Sequence, residues 1–389
     1  MKRNLTITLC LALCAMLSAE GTPNQKKFIR GNLAEKTAAV REASEYEAAE
    51  LSRNAIQFAI NYREILGKDR DLSALAVAGV LSLPSAYVKS LSAEEKAAVS
   101  SDFYRLYTLF SDETLKIAVL NRLSLLQLPG AEFASLLNKY VQGSDFQSAS
   151  QAMNTAVFST LGVIGGKESF PILFDCLERQ EYASYNTEIK NAVIQLMEKS
   201  EAEVIAFIRN GTPQQCRNLF DKGKKNEKNS SKFKADIAEN VLSRTIYIVE
   251  NSSTADEQLL MLQAEAYNLL AEQKWTRATK KVIQFYDFSK KLYEEKKLSD
   301  ALFSDIIAKL PDIAPLDCVS VLSSYLQQIN RAKETETNVP ADAVILSIIR
   351  SLGAIGDKNA FDSLLSVTYY NYSDSVIKAA RDALAGLKW

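Results

Sequence analysis

The sequence predicts an all-α fold, an α-solenoid of stacked antiparallel helix pairs, and three observations lead there. The first is a duplication. Leu161-Gly162-Val163-Ile164-Gly165-Gly166-Lys167-Glu168-Ser169-Phe170 returns as Leu352-Gly353-Ala354-Ile355-Gly356-Asp357-Lys358-Asn359-Ala360-Phe361. Each copy joins an apolar stretch to an amphipathic one, and each is followed by Ile-Lys-x-Ala, at Ile189–Ala192 and Ile377–Ala380. A helix–turn–helix unit cannot bury its apolar face alone, so repeated units stack. The second observation is periodicity. Apolar residues recur at helical spacing in nearly every segment, and no run alternates over strand length. The third is composition: 389 residues hold only 8 prolines and 14 glycines, which suits long helices.

The elements follow in order. Residues 1–19 read as a signal peptide, with Lys2 and Arg3 before the apolar run Leu5–Leu17 and a small residue, Ala19, at the cleavage position. Leu11-Ala12-Leu13-Cys14 resembles a lipobox, but Leu13 stands where a small residue is normal, so lipid attachment at Cys14 is the secondary reading. The expected location is the periplasm or another exported compartment. Residues 20–71 form a charged helical cap with a stripe of Ala48, Leu51, Ala55, Phe58, Ala59 and Tyr62. Residues 72–210 hold a first run of repeats, in which Ser92–Glu95 and Ser200–Glu203 match the capping box. Residues 211–235, rich in Lys, Asn and Ser, are expected as an exposed loop between two halves. The second run spans 236–389. It has a third capping box at Thr254–Glu257, a shorter loop at Ala332–Pro340, and Trp389 covering the last repeat. Ile189, Ala192, Val193, Leu196 and Met197 make one buried helix face. Val376, Ala379, Ala380, Ala383, Leu384 and Leu387 make another.

Gly162 and Gly353 are expected to let neighbouring backbones approach, and Gly165 and Gly356 to end a helix in the left-handed conformation. This Leu-Gly-x-Ile-Gly-(Asp/Gly)-Lys turn, with Asp374 to Leu384 after it, resembles the bacterial HEAT-like group of the HEAT/armadillo repeat family. The resemblance covers residues 149–198 and 339–388, extends through 111–141, and lapses over 230–311, which lacks the glycine turn. It implies a superhelix of repeats near 40 residues, about nine helix pairs in all. It also implies a scaffold that binds partners along a concave face. It implies no activity.

The residue inventory excludes much chemistry. Histidine is absent, so no imidazole base, metal ligand or Ser-His-Asp triad exists. Cys176, Cys216 and Cys318 have no C-x-x-C spacing for zinc. They read as buried thiols, with a Cys176–Cys216 bridge as the lesser alternative. Setting aside Lys2 and Arg3 leaves 44 basic residues against 47 acidic ones, which is no footprint for a general nucleic-acid binder. No stretch is long and apolar enough to span a bilayer. Gly162–Lys167 falls one residue short of a phosphate loop and has Glu168 where Ser or Thr is required. Glu168-Ser169 is similar to the catalytic pair of lytic transglycosylases but lacks the segment that follows it there. Glu168 reads instead as a first-turn helix acid favoured by the macrodipole.

Two stretches are candidate partner-binding surfaces. One holds Lys222, Lys224, Lys225, Lys228, Lys232 and Lys234. The other holds Trp275, Arg277, Lys280 and Lys281, in a segment where basic and aromatic residues interleave. No catalytic, cofactor or metal site is expected. The sequence thus points to a non-catalytic, exported protein-binding scaffold of an envelope or surface assembly, with peripheral contact to anionic envelope components through the lysines. The competing readings are a cell-wall-processing enzyme using paired carboxylates, and a lipid- or polymer-binding envelope protein.

Overall fold

A computed structural model describes residues 21–251, 257–335, 337 and 339–388. The expected leader with Cys10 and Cys14, the capping residues Thr254 to Asp256, and Trp389 lie outside them. The chain forms two compact units that meet between Ser200 and Glu201. Among the described residues every named element is helical, apart from one isolated backbone bridge between Asp357 and Lys388.

The first unit holds α1 (Pro23–Arg30), α2 (Leu33–Arg41), α3 (Glu45–Leu66), α4 (Arg70–Ser82), α5 (Ser85–Ser90), α6 (Ala93–Leu109), α7 (Glu113–Leu126), α8 (Ala131–Gln142), α9 (Asp145–Ser148), α10 (Gln151–Ile164), α11 (Ser169–Glu178) and α12 (Asn186–Leu196). With the short α5 and α9 set aside, helices alternate between two layers. In one layer α2 packs on α4, α4 on α7, α7 on α10 and α10 on α12; in the other α1 packs on α3, α3 on α6 and α8 on α11. The expected cap at 20–71 is therefore three separate helices and the start of a fourth. Thr22, Asn32 and Ser92 start their helices with reciprocal capping boxes. The C-terminal carbonyls of α1 at Phe28 and Ile29 accept from the buried Lys36 ammonium, which also lies against the Phe28 and Phe58 rings. Leu51, Ala55 and Ala59 of the expected stripe are buried, while Phe58 and Tyr62 stack on each other at its margin, 4.3 Å apart.

The second unit holds α13 (Glu201–Asn210), α14 (Pro213–Lys225), α15 (Ser231–Asn251), α16 (Glu257–Glu272), α17 (Thr279–Glu294), α18 (Asp300–Ile313), α19 (Asp317–Glu334), α20 (Asp342–Ile355), α21 (Phe361–Val367) and α22 (Asp374–Ala385). The alternation recurs. The odd-numbered helices α13, α15, α17, α19 and α21 pack one on the next, and so do α14, α16, α18, α20 and α22. Across both units the described residues make ten helix pairs, one more than the repeat length suggested.

Polar ties join neighbouring pairs at one repeat length. Tyr182 Oη donates to Val141 O over 41 residues (3.0 Å), and Thr160 Oγ1 to Leu120 O over 40 (3.2 Å). In the second unit Tyr267 Oη donates to Ile306 O over 39 (2.6 Å), and Ser351 Oγ to Ile307 O over 44 (3.2 Å). Each such tie satisfies a buried polar group that packing would otherwise strand.

The lysine-rich stretch departs from expectation. Residues 213–225 are helix α14, and only Asn226–Ser230 separate it from α15. Thr212 caps α14 in a reciprocal box with Gln215, and Pro213 occupies the first turn, where its missing N–H costs nothing. Cys216, Leu219, Phe220 and Gly223 give the helix a buried face, with Lys222 half-buried beside it and Lys224 and Lys225 exposed. The unit break also falls earlier than the expected loop, at residue 200. Ser200 belongs to a 3₁₀ turn spanning Glu198–Ser200, and its buried Oγ has no partner, so the expected capping box there does not form.

The two glycine turns are built alike in one respect and differently in another. A Cβ on Gly162 would come within 2.8 Å of Ala192 Cα, and one on Gly353 within 2.9 Å of Ala383 Cβ. Both approaches lie thirty residues along, between α10 and α12 and between α20 and α22. Gly356 has the expected left-handed φ of 71°. Gly165 does not: its φ is −63°, and glycine is needed because a Cβ would collide with Leu161 O. Gly356→Val should therefore lower stability by about 1–3 kcal/mol through backbone strain. Gly166, where a Cβ meets nothing within 4 Å, should accept alanine with an unchanged melting temperature. Thermal melts of both variants check this, and equal midpoints would refute the assignment.

Candidate partner-binding surface

The sequence-predicted cations separate into three groups in the second unit. Lys222, Lys224 and Lys225 occupy the last turn of α14, where positive charge suits the exposed carbonyls. Lys222 Nζ donates to Asn218 O (3.4 Å), Lys224 lies over the Phe220 ring, and Lys225 and Lys228 are exposed. Lys234 is half-buried in the first turn of α15.

Lys232, Trp275 and Arg277 form the second group, organised by a residue that sequence reasoning missed. Asp236 is buried in α15, its side chain 2% exposed. Lys232 Nζ reaches it at 2.8 Å and also meets Glu201 at 3.1 Å. Arg277 pairs with Asp236 from the other side and with Glu239 at 2.9 Å. Trp275 Nε1 donates to the same Glu239 carboxylate (2.8 Å), and its ring lies under the Arg277 guanidinium. Burial alone would push the Asp236 carboxyl up. The hydrogen bond from Lys232 and the charges of Arg277 and Lys232 outweigh it and hold the carboxyl below its ordinary range. These three residues thus serve the packing of α13, α15 and α17. The one signal in the sequence was an aspartate, Asp236, set between the apolar Ala235 and Ile237.

Lys281 belongs to a third group with two arginines that the sequence did not single out. Arg209 at the end of α13, Arg244 on α15 and Lys281 on α17 line one groove of about 510 Å³, together with Glu239, Asn240, Ser243 and Tyr247. Lys280 is exposed and lies outside this lining. A second groove in this unit, about 850 Å³, is lined by Tyr293, Tyr325, Ile329 and Pro340 among others.

In the first unit an open groove of about 760 Å³ is bordered by Tyr107, Lys116, Lys139, Tyr140 and Asp145. Three successive helices of one layer also place an aliphatic residue one position before their last. These are Leu81, Leu125 and Val163; the first two are 53% and 65% exposed. Leu81 and Leu125 each lie within an apolar run, where only packing tells the outer residue from the inner ones.

The Gly162–Lys167 and Glu168-Ser169 motifs lie at the end of α10 and the turn into α11. Glu168 and Lys167 are exposed, while Ser169 Oγ is buried without a partner. Among the described residues no group of three or more acidic or thiol side chains is placed to hold a metal ion. The carboxyl raised among them is Asp287, by burial on α17. The three cysteines are buried free thiols, so the alternative Cys176–Cys216 bridge is absent. Burial pushes Cys176 and Cys318 up to about 12 and Cys216 up to about 11. No helix among the described residues is long and apolar enough to cross a membrane.

No protein-family profile matches the chain, and no curated protein does. One similar solved structure comes from work titled "Computational Design of Self-Assembling Cyclic Protein Homooligomers". It is 12% identical, covers 78% of this chain and 92% of its own, and has a TM-score of 0.13, too low to carry any argument.

Two measurements test this geometry. The Asp236 value is lower in the folded chain than in the unfolded one. Its stabilisation is therefore complete above the ordinary aspartate range near ~4 and fades as pH falls through the lowered folded value. Asp236→Asn should cost about 1–3 kcal/mol at neutral pH, with the difference from wild type shrinking in acid. Melting curves from pH 2 to 7, in roughly unit steps across that range, would show it, and a constant difference would refute the network. For the thiols, a chain beginning at Glu20 should react with Ellman's reagent slowly when native and show all three groups once unfolded.

Proposed function

We propose that this chain is a non-catalytic, exported scaffold of the HEAT type that holds other proteins against the sides of its helical layers. The observation that carries the reading is how its surfaces are made. Exposed leucines, Leu81 and Leu125, sit near the ends of the packed helices α4 and α7, and the cationic groove takes one cation from each of α13, α15 and α17. Single residues repeated along stacked helices form elongated faces suited to a partner's chain, whereas a reaction centre needs groups converging on one atom. Exposed leucine and tyrosine beside polar rims are what association uses to bury apolar area. A periplasmic location follows from the leader read in the sequence. A second reading, contact with anionic envelope components, draws on Lys224, Lys225 and Lys228, which stay exposed at one end of α14 and its following turn.

Crosslinking in intact cells followed by mass spectrometry tests the scaffold reading. Lysine-directed crosslinks to a small set of partner proteins, suppressed by Leu81→Glu with Leu125→Glu or by charge reversal in the groove, are the expected result. Crosslinks no more frequent than for an unrelated exported protein would overturn it. So would a cell-wall-cleaving activity abolished by replacing one carboxylate.

A further inference from the structure

We propose that the groove across α13, α15 and α17 is a docking site for an acidic peptide segment of a partner protein; this rests on the scaffold reading and names the chemistry of one of its faces. Elsewhere in this unit, cations near carboxylates are paired: Arg217 with Glu265 at 2.7 Å, Lys309 with Asp305 at 2.6 Å, Lys232 and Arg277 with Asp236. The three cations of the groove are held by neutral groups instead. Arg209 Nε donates to Asn240 Oδ1 (2.8 Å). Arg244 donates to the backbone carbonyls of Gly211 (3.1 Å) and Asn210 (3.5 Å), and Lys281 to Gln284 Oε1 (3.1 Å). None of them pairs with a carboxylate among the described residues. The groove's own carboxylate, Glu239, is already occupied by Arg277 and the Trp275 indole. The lining is therefore left with uncompensated positive charge, and each cation is fixed in place by its neutral partner.

Spacing favours a chain over a point charge. The cations follow one another at intervals of 35 and 37 residues on consecutive helices of one layer. Packed helices lie about 8–10 Å apart, so three of them span roughly 16–20 Å. At about 3.3 Å per residue this matches five or six residues of extended peptide. Tyr247 on the same lining is 57% exposed and already flanked by Arg244, which offers an aromatic surface between the charges. The groove volume of about 510 Å³ lies within the range of binding clefts, about 300–1,000 Å³.

Fluorescence anisotropy with the full chain tests this, using a fluorescein-labelled hexapeptide rich in glutamate and its glutamine counterpart. The acidic peptide should bind saturably and more weakly as salt rises, and the glutamine peptide should not bind. Arg209→Glu with Lys281→Glu should weaken binding about tenfold or more. Lys280→Glu, outside the lining, should leave it within about twofold, and thermal melts should show all variants folded. Equal binding of the glutamine peptide, or equal loss with Lys280→Glu, would overturn the proposal. So would complete competition by inorganic phosphate at equal charge, or binding to phosphatidylglycerol vesicles in preference to the peptide. If the peptide fails while cellular crosslinks are still suppressed by Leu81→Glu with Leu125→Glu, the acidic-peptide assignment falls and the scaffold reading stands.

Discussion

Everything in this structure depends on one constraint: a helix pair has more apolar face than it can cover by itself. With the short α9 set aside, the face is closed by the helix two places on in the chain, which is why α7 lies on α10 and α10 on α12, and why α18 lies on α20 and α20 on α22. The burial that results is complete where two helices meet a third. Ile189, Val193, Leu196 and Met197 are entirely shielded on α12, and Val376 and Ala380 on α22. At about 25 cal/mol per Å² of apolar area, closing such a face is the main favourable term available to the chain. Because that term is local, it is satisfied unit by unit, and the two units each carry their own continuous core.

Apolar burial sets no register by itself, since one leucine packs as well as the next. The hydrogen bonds spanning one repeat supply it. Thr160 can reach Leu120 O, and Tyr182 can reach Val141 O, only when α10 and its neighbours are in one alignment. Asp236 is the charged version of the same device. Left alone in the interior it would be costly, and Lys232 and Arg277 relieve that cost only if α15 and the turn before α17 are correctly placed. Small residues do the complementary work. Gly162 against Ala192 and Gly353 against Ala383 admit a backbone approach that any larger residue would prevent.

What the sequence disclosed follows from which of these devices leave a mark on it. Helical periodicity and the duplicated glycine turn are written in residue type, so the fold class, the buried face of α12, that of α22 apart from the half-buried Ala379 and Leu384, and the close approaches at Gly162 and Gly353 were legible. The middle of the second unit was not, because its turns use the same geometry without glycine. Lys274 and Lys296 adopt positive φ of 48° and 59°, as Gln127 does at 51° in the first unit. In all three the following amide bonds back five residues, Leu128 to Leu123, Trp275 to Leu270 and Lys297 to Leu292. A lysine in a turn looks like any surface lysine, so the repeat is present where its signature is missing. The lysine-rich stretch failed for the opposite reason. Its composition resembled a solvated loop, while the informative residues were the four apolar ones that α14 turns inward.

The same distinction governs the surface. Cations of identical type divide by what holds them: Arg277 spends its charge on Asp236 and Glu239, whereas Arg209 and Arg244 are steadied by an amide and by backbone carbonyls. Coulomb attraction to an incoming anion is cancelled in the first case and retained in the second, and no count of lysines and arginines along the chain separates them. Trp275 and Arg277, the most partner-like residues of the sequence, are thereby drawn into the packing of α15 and α17. Arg209, Arg244 and Lys281 come together on one groove only through the stacking of successive helices.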